Sequence, residues 1–171
     1  EILKRLSLNP NEEDDFIDED LTMKDYLKEI ILSFKETSKK DFFLNLDQDL
    51  NSKKITKSIE IVYGLRNFIG NANKFSKSKV LITLESNTNF TVVSIKDDGD
   101  GFPSDILSKI GEPYLRSIKS YNKEKMGLGL GLFIGKTLLE KNFATVNCQN
   151  SQTRDGAEIV IKWKNSDLFN L

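Results

Sequence analysis

The chain has 171 residues and a formal net charge of −1, with 25 lysines and arginines against 26 aspartates and glutamates. This length suits one domain with a substantial core, and the interspersed charges leave no broad basic field for nucleic acid. Histidine is absent and cysteine occurs once, which argues against zinc triads, histidine-dependent hydrolases and an internal disulfide.

The first twenty-one residues contain a short helical pattern and then an acidic stretch. Apolar residues at positions 2, 3 and 6 are typical of the last turns of a helix, which Asn9-Pro10 would end. Because the chain starts at Glu1 without a signal peptide, we expect it to be part of a longer protein. We assign residues 1–10 to an upstream helix and residues 11–21 to a solvated connector, and we expect the main domain over residues 22–171.

A helix and a strand open the main domain. Thr22 and Asp25 form a potential capping box, and the pattern that follows predicts a helix ending near Ser38. The residues predicted to form its inner face are Tyr26, Leu27, Ile30, Ile31 and Phe34. Apolar residues then alternate over residues 42–46, which predicts a half-buried strand.

A second helix is predicted from about Thr56 to Phe75 and carries two stripes. The apolar stripe, assigned to the core, consists of Ile59, Val62, Leu65, Ile69 and Ala72. The other stripe consists of Asn67, Asn71 and Lys74, which lie on one side of the helix. Since asparagine is a weak helix former, this stripe either is a polar solvent face or presents side-chain oxygens to a ligand.

Two β-branched segments, residues 80–84 and 90–95, flank a turn-rich segment and predict an antiparallel hairpin. The second segment leads into residues 96–103, which contain acidic residues and two glycines. This stretch is either a simple turn or a place where a carboxylate meets a ligand while glycine lets the backbone approach it. A calcium loop is excluded, because the alternating oxygen ligands and the closing glutamate are missing.

A short helix capped by Ser104 is predicted over residues 104–109, and the polar, basic residues 117–125 are typical of a mobile lid. Cations available to an anion here are Arg116, Lys119, Lys123 and Lys125. Each of them alone is better explained as a solvated charge. Two further strands are predicted over residues 144–149 and 157–163, with Cys148 as an ordinary strand residue.

Glycine at positions 127, 129 and 131 precedes apolar residues with helical spacing that continue to about Lys141. A glycine loop that leads into a helix N-terminus offers free N–H groups to an anion such as phosphate. A P-loop would need glycine at position 130, and the dinucleotide fingerprint would need it at position 132 or 134. The apolar run over residues 128–135 is also too short to cross a bilayer.

Four of these segments, in this order, resemble the characteristic boxes of sensor histidine kinases. Residues 67–75 resemble the N box, residues 97–101 the G1 box, Pro113-Tyr114 a reduced F box and residues 127–132 the G2 box. Together they extend from about Ile59 to Trp163. Residues 63–67, 110–113 and 126–140 are further similar to the RegB/PrrB group of redox-responsive kinases.

The resemblance implies the Bergerat, or GHKL, ATP-binding fold, an α/β two-layer sandwich with three helices on one face of a mixed, mostly antiparallel sheet. Asp97 would accept a hydrogen bond from the adenine amino group, and Gly99 and Gly101 would let the base approach the backbone. Asn71 would bind Mg²⁺, and Lys74 would meet the phosphates of ATP. Further implied nucleotide contacts are Arg116, Gly127, Leu128, Gly129, Leu130, Gly131 and Leu132.

The resemblance also implies a reaction. Hydrolytic members of this fold carry a water-activating glutamate at the position of Asn67, and an amide cannot take that proton. With Asn67 and Lys74 as catalytic residues, the γ-phosphate would instead pass to a histidine located before Glu1. That histidine would lie on a dimerisation hairpin whose second helix ends in residues 1–10, and homodimerisation would occur only through this hairpin.

The partners implied by the resemblance are this upstream domain and a response regulator, not nucleic acid, and the implied location is the cytoplasmic side of a bacterial inner-membrane sensor. Two residues depart from the family pattern, Tyr114 in place of phenylalanine and Ala157 in place of threonine. Two alternatives are a stand-alone serine kinase of the anti-sigma type and a regulatory ATP-binding domain without transfer activity. The helix remnant before Pro10 argues against the first, and the intact Asn71 and Asp97 argue against the second.

Overall fold

A computed structural model describes residues 21–48, 53–55, 58–110, 130–153 and 155–169. The helices are α1 (Met23–Lys35), α2 (Ile59–Phe75), α3 (Ser104–Leu107), α4 (Leu130–Lys141) and α5 (Asn165–Leu168). The strands are β1 (Asp41–Leu46), β2 (Lys79–Ser86), β3 (Phe90–Asp97), β4 (Thr145–Asn150) and β5 (Ala157–Lys164). The predicted helix end at residues 1–10, the connector up to residue 20 and the basic segment 117–125 lie outside the described residues.

The strands form one sheet in the order β1-β2-β3-β5-β4. β1 pairs with β2 in parallel, and the other neighbouring pairs are antiparallel. The mixed, mostly antiparallel sheet is therefore confirmed, and so are the predicted hairpin of β2 and β3 and the two late strands. Because β1 and β2 run in parallel, the connection between them has to cross over, and α2 forms most of it.

One face of the sheet is buried. A row of apolar side chains crosses all five strands at matching register, namely Leu44, Ile82, Ile95, Ile159 and Cys148. The helices α1, α2 and α4 pack against this face and form the core with it. Cys148 lies in β4 as predicted, and burial raises the pKa of its thiol to about 11. None of the described helices combines the length and apolar character that a membrane span needs.

The capping box at the start of α1 is confirmed. The backbone N–H of Asp25 donates to the Thr22 hydroxyl at 3.3 Å, and the Thr22 N–H donates to the Asp25 carboxylate at 3.2 Å. The predicted inner face is buried up to Ile31, and Phe34 is half-buried. The helix ends at Lys35, three residues before the predicted end.

The predicted start and core stripe of α2 were partly wrong. The helix begins at Ile59, because the Ser58 side chain caps it by accepting the N–H of Ile61 at 3.3 Å. Ile59 then lies in the first turn and is 50% exposed. The buried stripe consists of Ile61, Gly64, Leu65, Phe68, Ile69 and Ala72.

The short helix α3 also differs from its prediction. Pro103 occupies the cap position without a side-chain hydrogen bond, Ser104 is the first helical residue, and the helix ends at Leu107. The carbonyl oxygen of Pro103 accepts the N–H groups of Ile106 at 3.0 Å and Leu107 at 3.2 Å, so the turn closes without a side-chain cap.

Two glycines let α2 and α4 pack closely. A Cβ atom added to Gly64 would lie 2.5 Å from Cγ of Leu139, which is fully buried in α4. A Cβ atom added to Gly135 would lie 2.9 Å from the ring of Phe68, which is fully buried in α2. At each of these two contacts, a large side chain of one helix therefore packs directly against the backbone of the other.

We expect Gly64→Ala to destabilise the fold, although alanine is the better helix former. Overpacking against the branched carbon of Leu139 costs about 1–3 kcal/mol, and the helix propensity of alanine returns at most about 1 kcal/mol. The matched control is Gly70→Ala in the same helix, whose Cβ would meet only the ring tip of half-buried Phe34 at 3.2 Å. Urea denaturation should show a loss of stability for Gly64→Ala and none for Gly70→Ala. Equal stabilities of the two variants would contradict the close packing.

Asp98, just after β3, fastens the connection between α2 and β2. Its carboxylate accepts the Ser78 hydroxyl at 2.5 Å and the backbone N–H groups of residues 77–79 at 2.8 to 3.2 Å. Burial alone would raise the pKa of this carboxyl, but the hydrogen bonds from Ser78, Lys79 and Lys77 outweigh that effect and hold the pKa well below its ordinary value. The ionised form is thus the one that the fold stabilises.

We expect Asp98→Asn to lower the free energy of unfolding at pH 7 by about 1 kcal/mol, because a neutral amide replaces a charged acceptor. Since the pKa is lower in the folded state, the stabilisation by Asp98 is complete above about pH 4 and is lost as the pH falls further. The difference from the wild type should therefore shrink in acid. Asp100→Asn is the control, because its pairing with Lys77 is mostly exposed. A difference that grows in acid would refute this explanation.

Candidate nucleotide site

A carboxylate lies on the buried face of the sheet. Asp97 is the last residue of β3 and lies opposite Val80 of β2, which is fully buried. Residues directly opposite in an antiparallel pair point to the same face. The Asp97 side chain therefore continues the inward series of Val93 and Ile95 and lies at the edge of the helix-covered face.

The two carboxylate oxygens of Asp97 differ in their surroundings. Oδ1 accepts the backbone N–H of Gly99 at 2.8 Å and that of Ala157 at 3.3 Å. No described residue donates a hydrogen bond to Oδ2. Burial raises the pKa of this carboxyl, and the hydrogen bonds from Gly99 and Ala157 offset the effect only in part. One oxygen of a partly desolvated carboxylate is thus available to a donor.

Glycine is required around Asp97 because backbone approaches it closely. A Cβ atom on Gly99 would lie 2.2 Å from the carbonyl oxygen of Phe75, the last residue of α2. Gly156, with a φ of +119°, would bring a Cβ atom within 1.9 Å of the Asp97 carbonyl oxygen. Gly101 also has a positive φ, +79°. The sequence pattern identified Gly99 and Gly101 but indicated no role for Gly156.

The loop after β3 is held by a side chain that the sequence analysis missed. Asn150, at the end of β4, accepts the N–H of Phe102 at 2.6 Å and donates to its carbonyl oxygen at 2.9 Å. This amide imitates the pairing of a further strand residue. Only the register of β4 and β5 brings it to the loop, so the sequence carried no signal for it.

The polar stripe of α2 is half-buried rather than fully solvated. Asn67 donates from Nδ2 to the carbonyl oxygen of Tyr63 at 2.8 Å, which leaves its Oδ1 turned outward from the helix. The Asn71 amide makes no hydrogen bond to any described residue. The Lys74 ammonium group lies 5.4 Å from the centre of the Phe75 ring. Two amide oxygens and one ammonium group therefore follow one side of the helix.

The structure brings α4 to this stripe. A Cβ atom on Gly131, in the first turn of α4, would lie 3.9 Å from Oδ1 of Asn67. Leu130, Gly131 and Leu132 are half-buried at this end of α4. The predicted contacts Arg116, Gly127, Leu128 and Gly129 lie outside the described residues, as do Pro113 and Tyr114.

The opposite end of α2 is held by the loop between α1 and β1. The Lys40 ammonium group donates to the carbonyl oxygens of Asn73, of Ser76 at 2.6 Å and of Lys74 at 3.4 Å. The Ser38 hydroxyl donates to Oδ1 of Asn73 at 2.7 Å. No sequence motif pointed to this loop.

The described residues thus combine three chemical features at one edge of the fold. A carboxylate with a free oxygen can accept a hydrogen bond from an amino group. A helix with half-buried amide side chains and an ammonium group on one side can meet an anion and a hard cation. The first turn of α4 presents N–H groups without helical partners close to the same helix.

Solved structures share this fold. The chain matches the mycobacterial sensor histidine kinase MprB with a TM-score of 0.71 and 19% identity, over 85% of this chain and 97% of that one. It matches full-length ShkA in complex with AMPPNP with a TM-score of 0.70 and 21% identity, over 85% of this chain and 30% of that one.

The sequence relatives are a sensor histidine kinase and a sensor protein. The chain is 35% identical over 116 residues to the sensor histidine kinase RegB of Cereibacter sphaeroides, which covers 65% of this chain and 25% of the relative. It is 29% identical over 100 residues to the sensor protein SrrB of Staphylococcus aureus, covering 57% of this chain and 17% of the relative. The chain thus spans about a quarter or less of the length of these relatives.

The model of one protein family matches residues 56–167, the stretch that contains α2, β2, β3, α4, Asp97 and the polar stripe of α2. The fold, the sequence relatives and the order of the four boxes agree with this match. The chain therefore belongs to the family of histidine kinase-, DNA gyrase B- and HSP90-like ATPases.

Proposed function

We propose that the chain is the ATP-binding catalytic part of a sensor histidine kinase, which binds Mg-ATP and transfers its γ-phosphate to a histidine elsewhere in the full-length protein. The observation that carries this proposal is the Asp97 carboxylate on the helix-covered face, whose Oδ2 atom receives no hydrogen bond from the part of the chain that the structure describes. The similarity of the chain to the sensor histidine kinase RegB favours a histidine kinase over a serine kinase.

In the proposed complex, Oδ2 of Asp97 accepts a hydrogen bond from the exocyclic amino group of adenine. Guanine carries an oxygen at that position, and two acceptors would repel each other. A Cβ atom on Gly99 would meet the Phe75 carbonyl oxygen and one on Gly101 would meet the Asn150 side chain, so these glycines would act by shaping the loop that the base lies against. The fold neighbour ShkA was solved with AMPPNP, an ATP analogue, which supports an adenine nucleotide as the ligand.

The triphosphate would lie along α2. Lys74 would bind phosphate oxygens, and the free amide oxygen of Asn71 fits a ligand of Mg²⁺, which prefers oxygen and is usually held in part by the phosphates themselves. Bound Mg²⁺ would neutralise phosphate charge during transfer. The phosphates would contact the first turn of α4, which contains Leu130, Gly131 and Leu132. Further contacts would come from Arg116, Gly127, Leu128 and Gly129, which precede this helix.

Asn67 determines the proposed acceptor. Its Nδ2 atom is bound to its own helix, and its Oδ1 atom, which faces Gly131, cannot take a proton from water near neutral pH. ATP bound here would keep its γ-phosphate until a stronger nucleophile arrives. We propose that this nucleophile is a histidine on an upstream hairpin, which also forms the homodimer, and that a response regulator then receives the phosphate.

We further propose that this part of the full-length protein lies on the cytoplasmic side of a bacterial membrane, where ATP is available. The similarity to two bacterial sensor proteins supports this location.

We expect Asp97→Asn to weaken ATP binding about tenfold to a hundredfold, because a charged acceptor is lost and the new amide could place a donor opposite the adenine amino group. Burial raises the pKa of Asp97 in the folded state, so ionisation costs stability as the pH rises to neutral. The variant without nucleotide should therefore be at least as stable as the wild type at pH 7. Calorimetric titration and urea denaturation measure the two effects.

Asp100→Asn is the matched control for this experiment, since it removes the same charge from a side chain that is 92% exposed. It should retain the wild-type affinity for ATP. Wild-type affinity in Asp97→Asn would show that this carboxylate does not bind adenine.

We expect the chain on its own to release phosphate from ATP at close to the background rate, because Asn67 offers no general base. Addition of a separately produced hairpin that carries the acceptor histidine should produce a phosphorylated hairpin in the presence of Mg²⁺. Radiolabelled ATP and a colorimetric phosphate assay follow the two products. Rapid Mg²⁺-dependent hydrolysis without the hairpin would mean that the reasoning from Asn67 is wrong.

A further inference from the structure

Lys40 lies outside every segment that resembles a kinase box, yet it closes the end of the helix on which the proposed phosphate and metal contacts lie. Its ammonium group donates to the carbonyl oxygens of Asn73, Lys74 and Ser76. Carbonyl groups in the last turn of a helix have no partner within the helix. A single cation therefore satisfies several of these groups at the end of α2.

The loop that carries Lys40 is attached to α2 by two kinds of contact. The Ser38 hydroxyl donates to the Asn73 side chain at 2.7 Å, and the same hydroxyl accepts the backbone N–H of Lys40 at 3.1 Å. The contact of Ser38 with Asn73 is neutral, whereas the contacts of the Lys40 ammonium group with the carbonyl oxygens of α2 are charged. The two contributions can be separated by mutation.

Lys40 places a positive charge at the C-terminal end of α2, where the helix dipole disfavours the ionised carboxylate of Asp97. The C-terminus of a helix carries partial negative charge, and the loop after β3 touches this end of α2 where Gly99 meets Phe75. Among the described groups, the charges that act on Asp97 are the Asp98 carboxylate, which raises its pKa, and the Lys40 ammonium, which lowers it. Val80 and Ala157, on the neighbouring strands, are apolar.

We propose that Lys40 is a positioning residue for nucleotide binding, which holds the last turn of α2 in place and supplies a positive charge at the helix end that the loop after the adenine-binding carboxylate touches. This inference rests on the proposed function, in which ionised Asp97 accepts the adenine amino group. Lys40 itself contacts backbone and not the nucleotide. Its effect reaches ATP through Asp97 and through the helix turn that carries Lys74.

Four variants separate charge from attachment. Lys40→Gln removes the charge and keeps an amide donor, whereas Lys40→Arg keeps the charge. Ser38→Ala removes the neutral contact of the same loop. Lys39→Met removes the charge of the exposed neighbouring lysine and is the matched control. If Lys40→Gln does not fold, Lys40→Met, which keeps the apolar stem, takes its place.

The first measurement is the titration of the Asp97 side-chain carbon by NMR in the protein without nucleotide. We expect the pKa of Asp97 to rise in Lys40→Gln and to stay at its wild-type value in the other three variants. A purely structural role would instead make Ser38→Ala behave like Lys40→Gln. That result, or an unchanged pKa in Lys40→Gln, would overturn the inference.

The second measurement is the affinity for ATP between about pH 5 and pH 8, expressed relative to the wild type so that the titration of ATP itself cancels. We expect Lys40→Gln to bind up to about tenfold more weakly, with a deficit that is largest at the acid end and shrinks as rising pH ionises Asp97. Lys40→Arg should restore the wild-type profile. Failure of the wild type to bind ATP would contradict the proposed function, while the NMR titration would still test Lys40. Equal affinities of Lys40→Gln and wild type at every pH would contradict the inference alone.

Discussion

A charged carboxylate at the edge of the buried sheet face is the constraint on which the arrangement of this site depends. Asp97 continues an inward series of apolar residues, so its ionised form is partly removed from water, and removing a charge from water is costly. The N–H groups of Gly99 and Ala157 offset part of this cost by bonding one oxygen. Among the described residues none donates a hydrogen bond to the other oxygen, so a ligand donor can bind it and offset more of this cost.

Asp98, the residue after Asp97, shows that the same side chain can have the opposite effect on stability at a neighbouring position. Asp98 lies one residue further along, so it points to the other side of the strand and reaches four donors in the connection between α2 and β2. Its pKa is lowered where that of Asp97 is raised. Asp98 therefore contributes to stability. Asp97 reduces stability at neutral pH, but its Oδ2 atom remains available to accept a hydrogen bond from a ligand. Such a cost is typical of functional sites in marginally stable proteins.

Much of the fold could be predicted from local patterns in the sequence, because these patterns depend only on interactions between residues that are close along the chain. The capping box of α1, the hairpin of β2 and β3 and the alternation in β5 need only neighbouring residues to be recognised. The exposed position of Ile59 was not predictable in this way, since it depends on Ser58 as the cap and on where α2 meets the sheet. Lys40 and Asn150 were missed for a related reason. Each binds backbone that lies more than thirty residues away, and only the tertiary fold brings the partners together.

The helix α2 connects these observations, because it is held at both ends of the stretch that carries its polar stripe. Gly64 fixes it against α4 near one end, and Lys40 fixes its last turn at the other. Between them, a rise of about 1.5 Å per residue spreads Asn67, Asn71 and Lys74 over about 10 Å. A helix held at two points keeps that spacing constant, and phosphoryl transfer depends on fixed positions more than on covalent chemistry by the protein. The packing of glycines far from the carboxylate is thus part of the geometry that the proposed reaction requires.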